Sequence, residues 1–177
     1  MQTVKDEFRP FSCKTPGMSL AGKKMWARVV DVYDADTLTI VLPAFNGYYR
    51  FSGRVYGIDT SEIKSKVAEN KASANRARNR VLQLLGVPNA ALERVYSRKE
   101  VQAMLQEDVF LVWVVCGDFD KYGRLLITPY QVQDVQTAQP DEGGRVSIGD
   151  VLVREKLAYP YFGETKLTEA AQAALLE

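Results

Sequence analysis

After a mixed, proline-containing arm of about 22 residues, the chain turns to strand-like patterns as far as Ile58, and beyond that apolar residues fall at helical spacing. Trp26 to Tyr33 is rich in β-branched residues, which predicts a strand. After Asp34-Ala35-Asp36, a second strand is predicted from Thr37 to Leu42, where Leu38, Ile40 and Leu42 alternate with Thr37, Thr39 and Val41. Pro43 is expected to stop it and Asn46-Gly47 to turn the chain. Tyr48 to Ile58 is predicted as a third strand, with Gly53 and Gly57 as bulges or places of close backbone approach. Val67 to Leu85 lacks Pro and Gly and places Ala74, Ala77, Val81, Leu84 and Leu85 at helical spacing; Gly86 and Pro88 end that helix. Ser97 and Glu100 form a capping box for a short helix running to Gln106. The apolar run Val109–Cys116 predicts a buried strand, Gly117–Gly123 a turn, and Arg124–Tyr130 a return strand. Asp134–Arg145 is polar and is expected to be a loop. Ser147 can cap a helix reaching Leu157, and Thr168 a last one over Glu169–Leu176.

Three strands, a helix, two strands and C-terminal helices describe a mainly β, α+β chain: a five-stranded OB-type barrel with a helix after strand three. The boundaries that follow are an N-terminal arm over 1–24, a barrel domain over 25–166 with an insert at about 86–107, and a C-terminal helix over 167–177. With 177 residues and 46% hydrophobic, the chain is long and apolar enough to bury a core of its own. It shows no apolar stretch long enough for a membrane span and no signal peptide, so the expectation is an intracellular protein without a membrane partner.

Composition narrows the chemistry. There is no histidine, which removes imidazole bases and His metal sites. The two cysteines, Cys13 and Cys116, are too few for a zinc cluster and are read as free thiols. Carboxylates, Arg, Lys, Tyr, hydroxyls or a metal held by oxygen remain. Net charge is only +1, so bulk charge says nothing about nucleic acid. From Ile63 to Glu107, however, nine basic residues face four acidic ones, which reads either as a solvated helical face or as a patch that attracts phosphate.

The acids fall at strand ends. Asp36 opens strand two, and Asp59 and Glu62 follow strand three. A hairpin joins the two strands, so Asp36 and Asp59 should lie side by side. Adjacent carboxylates raise one another's pKa, and a hard divalent cation such as Ca²⁺ or Mg²⁺ resolves the repulsion. Taken singly, each acid could equally shape a turn or cap a helix. Arg54, within strand three, and Arg124, after the Asp120–Gly123 turn, need either an acid or a ligand phosphate as partner.

Three stretches, Asp34-Ala35-Asp36-Thr37, Arg54 to Glu62 and Asp120-Lys121-Tyr122-Gly123-Arg124, resemble in order and spacing the active-site segments of the staphylococcal nuclease (thermonuclease) family. Leu152–Ala158 is similar to that family's C-terminal helix. The resemblance implies that Asp36, Asp59 and the Thr60 carbonyl hold one Ca²⁺ in preference to Mg²⁺. It implies that Glu62 serves as general base, that Arg54 and Arg124 hold the reacting phosphate, and that Lys121 and Tyr122 contact a neighbouring one. Tyr159 or Tyr161 matches a base-stacking tyrosine. The implied activity is calcium-dependent hydrolysis of DNA and/or RNA with little sequence preference, leaving 3′-phosphate ends. Ser61 departs from the family's usual proline, and the insert is long. The lack of a leader is similar to intracellular members, including those of large DNA viruses. Two other readings compete: an inactive module of the same fold that binds nucleic acid or protein, and a single-strand binder using Tyr48, Tyr49, Phe51 and Tyr56 as platforms.

Overall fold

A computed structural model describes residues 4–131 and 146–176. Five strands close a mixed barrel in the order β1-β2-β3-β6-β5. They are β1 (Lys24–Asp34), β2 (Thr37–Ala44), β3 (Gly47–Val55), β5 (Leu111–Phe119) and β6 (Leu125–Tyr130). Two short strands, β4 (Ile58–Asp59) and β7 (Tyr159–Pro160), pair separately. The α+β, OB-like architecture expected from the pattern is the one present. The alternating Leu38, Ile40 and Leu42 are fully buried and meet Val29, Val112, Val114, Leu125 and Ile127 inside the barrel.

Four pairings are antiparallel and one is parallel: β3 runs alongside β6, with Gly53 opposite Leu125, Arg54 opposite Leu126 and Val55 opposite Ile127. The strands approach so closely there that a Cβ on Gly53 would stand 2.7 Å from the Ile127 side chain, which accounts for the glycine.

Several boundaries differ from the sequence expectation. β2 continues through Pro43 to Ala44. Pro43 lies beyond the last β1 partner, Val41 opposite Arg28, so its missing N–H deprives no ladder bond. The hairpin loop is Phe45-Asn46, both at positive φ, and Gly47 already opens β3. β3 stops at Val55, because Gly57 takes φ +79 and turns the chain, placing Ile58 and Asp59 against Pro160 and Tyr159. β5 runs on to Phe119 across a register shift after Cys116, so the turn begins later than expected.

Helix α2 (Ala68–Leu84) lays Ala77, Val81, Leu82 and Leu84 on the barrel core. Helix α3 (Arg98–Met104) has the capping box expected from Ser97 and Glu100. Helix α4 (Ile148–Arg154) is capped by Ser147 and Asp150; it ends before Leu157 because Lys156 adopts φ +56. Helix α5 (Glu169–Leu176) starts as expected, with the Ala171 N–H donated to Thr168 Oγ1. The arm carries one five-residue helix, α1 (Val4–Phe8), with no buried residue. The expected loop Asp134–Arg145 lies outside the described residues. Cys13 is exposed and Cys116 buried, and neither forms a disulfide. No described helix is long and apolar enough to cross a membrane.

Candidate active site

The β2–β3 hairpin sets Thr37 opposite Arg54, and Val55 N–H donates to the Asp36 carbonyl at 2.8 Å. The turn at Tyr56-Gly57 then folds Asp59 and Thr60 back against Asp36. Arg54 is 8% exposed, Asp36 6% and Asp59 0%, so a guanidinium and two carboxylates are buried together at one end of the barrel. Arg54 Nη1 pairs with Asp36 Oδ2, and Arg54 Nη2 donates to Asp59 Oδ1 at 2.7 Å and to the Ile58 carbonyl at 3.0 Å.

Further donors close on the acids. Thr37 Oγ1 donates to Asp36 Oδ1 at 2.8 Å, and Thr60 gives both its N–H and its hydroxyl to Asp36 Oδ2 at 3.2 Å. Asp59 Oδ2 accepts from the Tyr159 hydroxyl at 2.5 Å. Lys166 Nζ stands 3.3 Å from Asp59 Oδ1 and 3.3 Å from Glu62 Oε1.

Electrostatics differ across the pair. Burial pushes the Asp36 carboxyl up, against the pull of Arg54, and the charge of Asp59 pushes the same way. Burial also acts to raise Asp59, but the Tyr159 hydrogen bond and the Lys166 and Arg54 charges hold it below the usual carboxylate range. Burial and the bond to Asp59 push the Tyr159 phenol up. Nearby Asp34 is raised to about 6, chiefly by burial, although it accepts the Ile63 N–H at 3.1 Å.

These groups line a cavity of about 310 Å³. Asp34, Asp36, Asp59 and Glu62 meet Arg54, Lys121, Arg124 and Lys166 there, with Thr37, Thr60, Tyr122 and Tyr161. A neighbouring cavity of about 360 Å³ shares Arg54, Lys121, Tyr122, Arg124 and Tyr161 and adds Tyr56 and Phe162. Arg124 reaches this region from the start of β6, its Nε donating to Asp120 Oδ2 at 2.7 Å and its guanidinium 5.5 Å from the Tyr122 ring centroid. The Lys121 ammonium lies 5.1 Å from the same ring.

Of the sequence-predicted site residues, Asp36, Arg54, Asp59 and Thr60 are in direct contact. Glu62, Lys121, Tyr122, Arg124 and Tyr161 line the same cavity. Tyr159 does not present a stacking face: it is 3% exposed and its hydroxyl is spent on Asp59. Between the two C-terminal tyrosines, only Tyr161 faces the cleft. Sequence reasoning missed Lys166 and the partnership of Tyr159 with Asp59. The latter could have been suspected from a tyrosine just after α4, but not its target.

The oxygen-rich donor set, Asp36, Asp59, Glu62 and two threonines, suits a hard cation. Among the described residues, no group of three or more acids or thiols is clustered tightly enough to hold a metal without rearrangement. Arg54 and Lys166 supply the positive charge instead.

Two of the insert's three cations, Arg94 and Arg98, meet acids, as does Arg76 on α2. Arg94 pairs with Glu100 at 3.0 Å, Arg98 with Asp31 at 2.7 Å, and Arg76 with Glu93 at 3.1 Å. No protein-family model matches the chain, and no curated protein matches it.

Proposed function

We propose that this cleft hydrolyses phosphodiester bonds of DNA and/or RNA, as a calcium-dependent nuclease with little sequence preference that leaves 3′-phosphate ends. The observation that carries this reading is the convergence, from three separate segments, of Asp36, Arg54, Asp59 and Arg124 on one cavity that also holds Glu62 and Lys121.

Arg54 and Arg124 bind the phosphate and oppose the charge that builds on it, from positions fixed by Asp36, Asp59 and Asp120 before substrate arrives. Glu62, with its side chain 63% exposed at the cavity rim, takes the proton of the attacking water. Asp36, Asp59 and the Thr60 carbonyl would hold calcium, which supplies Lewis-acid charge against the phosphate when bound. Lys121 and Tyr122 contact an adjoining phosphate, and Tyr161 offers a face for a base. Contacts to backbone phosphate carry no sequence information, which suits unselective cleavage.

The internal pairing of Arg54 with both acids favours a second reading, a binding module of the same fold without turnover. One assay separates them: digestion of plasmid and of single-stranded RNA with calcium, with EDTA, and by Arg54→Ala. Calcium-dependent cleavage lost in the last two conditions supports the nuclease. Nucleic-acid binding without cleavage in any condition overturns it.

A further inference from the structure

Lys166 is far in sequence from the acids it meets, and its place is fixed from both sides. Upstream, Tyr161 N–H donates to the Gly57 carbonyl at 2.9 Å, tying the segment to the cleft turn. Downstream, α5 docks on α2, where Ser65 Oγ donates to Glu169 Oε1 at 2.8 Å and Asn70 Nδ2 to the Glu169 carbonyl at 2.9 Å. Between these anchors the chain carries a single ammonium into the cavity, equidistant from Asp59 Oδ1 and Glu62 Oε1. Asp59 belongs to the set that the proposed function requires for calcium, and Glu62 is the base beside it. An ammonium and a divalent cation seek the same oxygens and repel one another.

We propose that Lys166 is a tethered competitor for the divalent cation: it neutralises Asp59 and Glu62 in the resting protein and must leave them before calcium binds. The inference rests on the calcium reading of this cleft. Because the lysine is held by the C-terminal segment, cation binding and the packing of residues 163–168 are coupled, and each opposes the other to the same extent. Calcium therefore loosens that segment, and the cleft opens toward substrate when the cation arrives.

The test is calorimetric titration of calcium into the full chain without nucleic acid, using wild type, Lys166→Met and Lys166→Arg. The methionine keeps the stem and removes the charge. Its calcium affinity should rise at least about fivefold, the lower end of ordinary coupling between sites. The arginine should stay near wild type. Amide exchange over 163–168 should speed up on adding calcium to wild type and change less in Lys166→Met. Equal affinity in wild type and Lys166→Met overturns the competitor while leaving the calcium site standing. Weaker binding by Lys166→Met overturns it in favour of a structural clamp. Binding by Lys166→Met alone supports it, and absence of binding in all three proteins overturns both proposals.

Discussion

The cleft and the insert bury polar side chains in opposite ways. Beneath the insert, Asn79 of α2 is fully buried and donates to the insert carbonyls of Ala91, Leu92 and Arg94 at 2.6–3.0 Å. Arg78 is 3% exposed and donates to the Tyr96 carbonyl at 2.6 Å. These side chains satisfy the backbone of a loop that has no ladder of its own, and so hold it in shape. In the cleft, buried carboxylates face each other, and two cations are drawn in to balance them. Polar groups that satisfy backbone are construction, whereas like charges gathered at a cavity are poised for a ligand.

The sharpest way to break this contrast is to exchange the arginines for lysines. Arg54→Lys keeps the charge but loses the planar fork, and should lower kcat for plasmid cleavage by about 10²–10³ with native circular dichroism. Arg78→Lys should leave kcat unchanged. Near-wild-type turnover by a folded Arg54→Lys protein would remove the cleft's claim to chemistry.

The converse substitution lies on α2, where it holds the insert. Asn79→Ala strands buried carbonyls and should cost about 1–3 kcal/mol in urea unfolding, with kcat unaltered below the transition. A comparable loss of kcat without loss of stability would mean that the insert serves the site directly.

Asp34 gives a pH test. Its folded pKa of about 6 lies above the 3.8 usual for an aspartate, so the folded state binds the proton more tightly than the unfolded state. Its contribution to stability therefore falls as pH rises from about 4 to 6 and is flat above. Asp34→Asn should raise the unfolding free energy from urea titration at pH 7, by on the order of 1 kcal/mol given its partial exposure. The gain should disappear at pH 4. A gain independent of pH would assign the effect to packing.

The smallest effect is expected at the basic face of the insert. Arg94 is already paired with Glu100 on the surface. Arg94→Gln with Lys99→Gln should change the salt dependence of KM for long DNA by less than about one phosphate contact. A clearly flatter slope would restore this face as a phosphate-capturing patch.

Much of the frame was legible because it is local. Leu38, Ile40 and Leu42 announce an inward face, and the hairpin that follows places Thr37 beside Arg54 and so Asp36 near Asp59. The Ser97–Glu100 box is likewise complete within four residues. What was illegible depends on distant partners. A two-residue strand such as β4 has no periodicity, and its partner is β7 at the other end of the chain. Tyr159 read as an aromatic platform because only the β4–β7 pairing shows its hydroxyl turned onto Asp59. Lys166 sits in no motif, and its role comes from the tether between β7 and α5. The excess positive charge over residues 63–107 is reduced for a related reason that the local sequence does not display: Asp31, the partner of Arg98, lies on β1.

The parallel seam between β3 and β6 gives the molecule a temporal order. Residues near Gly53 must wait for residues near Leu125 before the barrel can close, and such distant contacts form late because the loop between them must first be closed. Arg54 lies in that seam, and Arg124 immediately precedes its second strand. Asp59 waits longer still, for Tyr159. A chain emerging from the ribosome therefore carries all its acids and its first arginine long before it can assemble them. If the proposed reading of the cleft holds, the unfinished protein cannot act on the RNA from which it is being made.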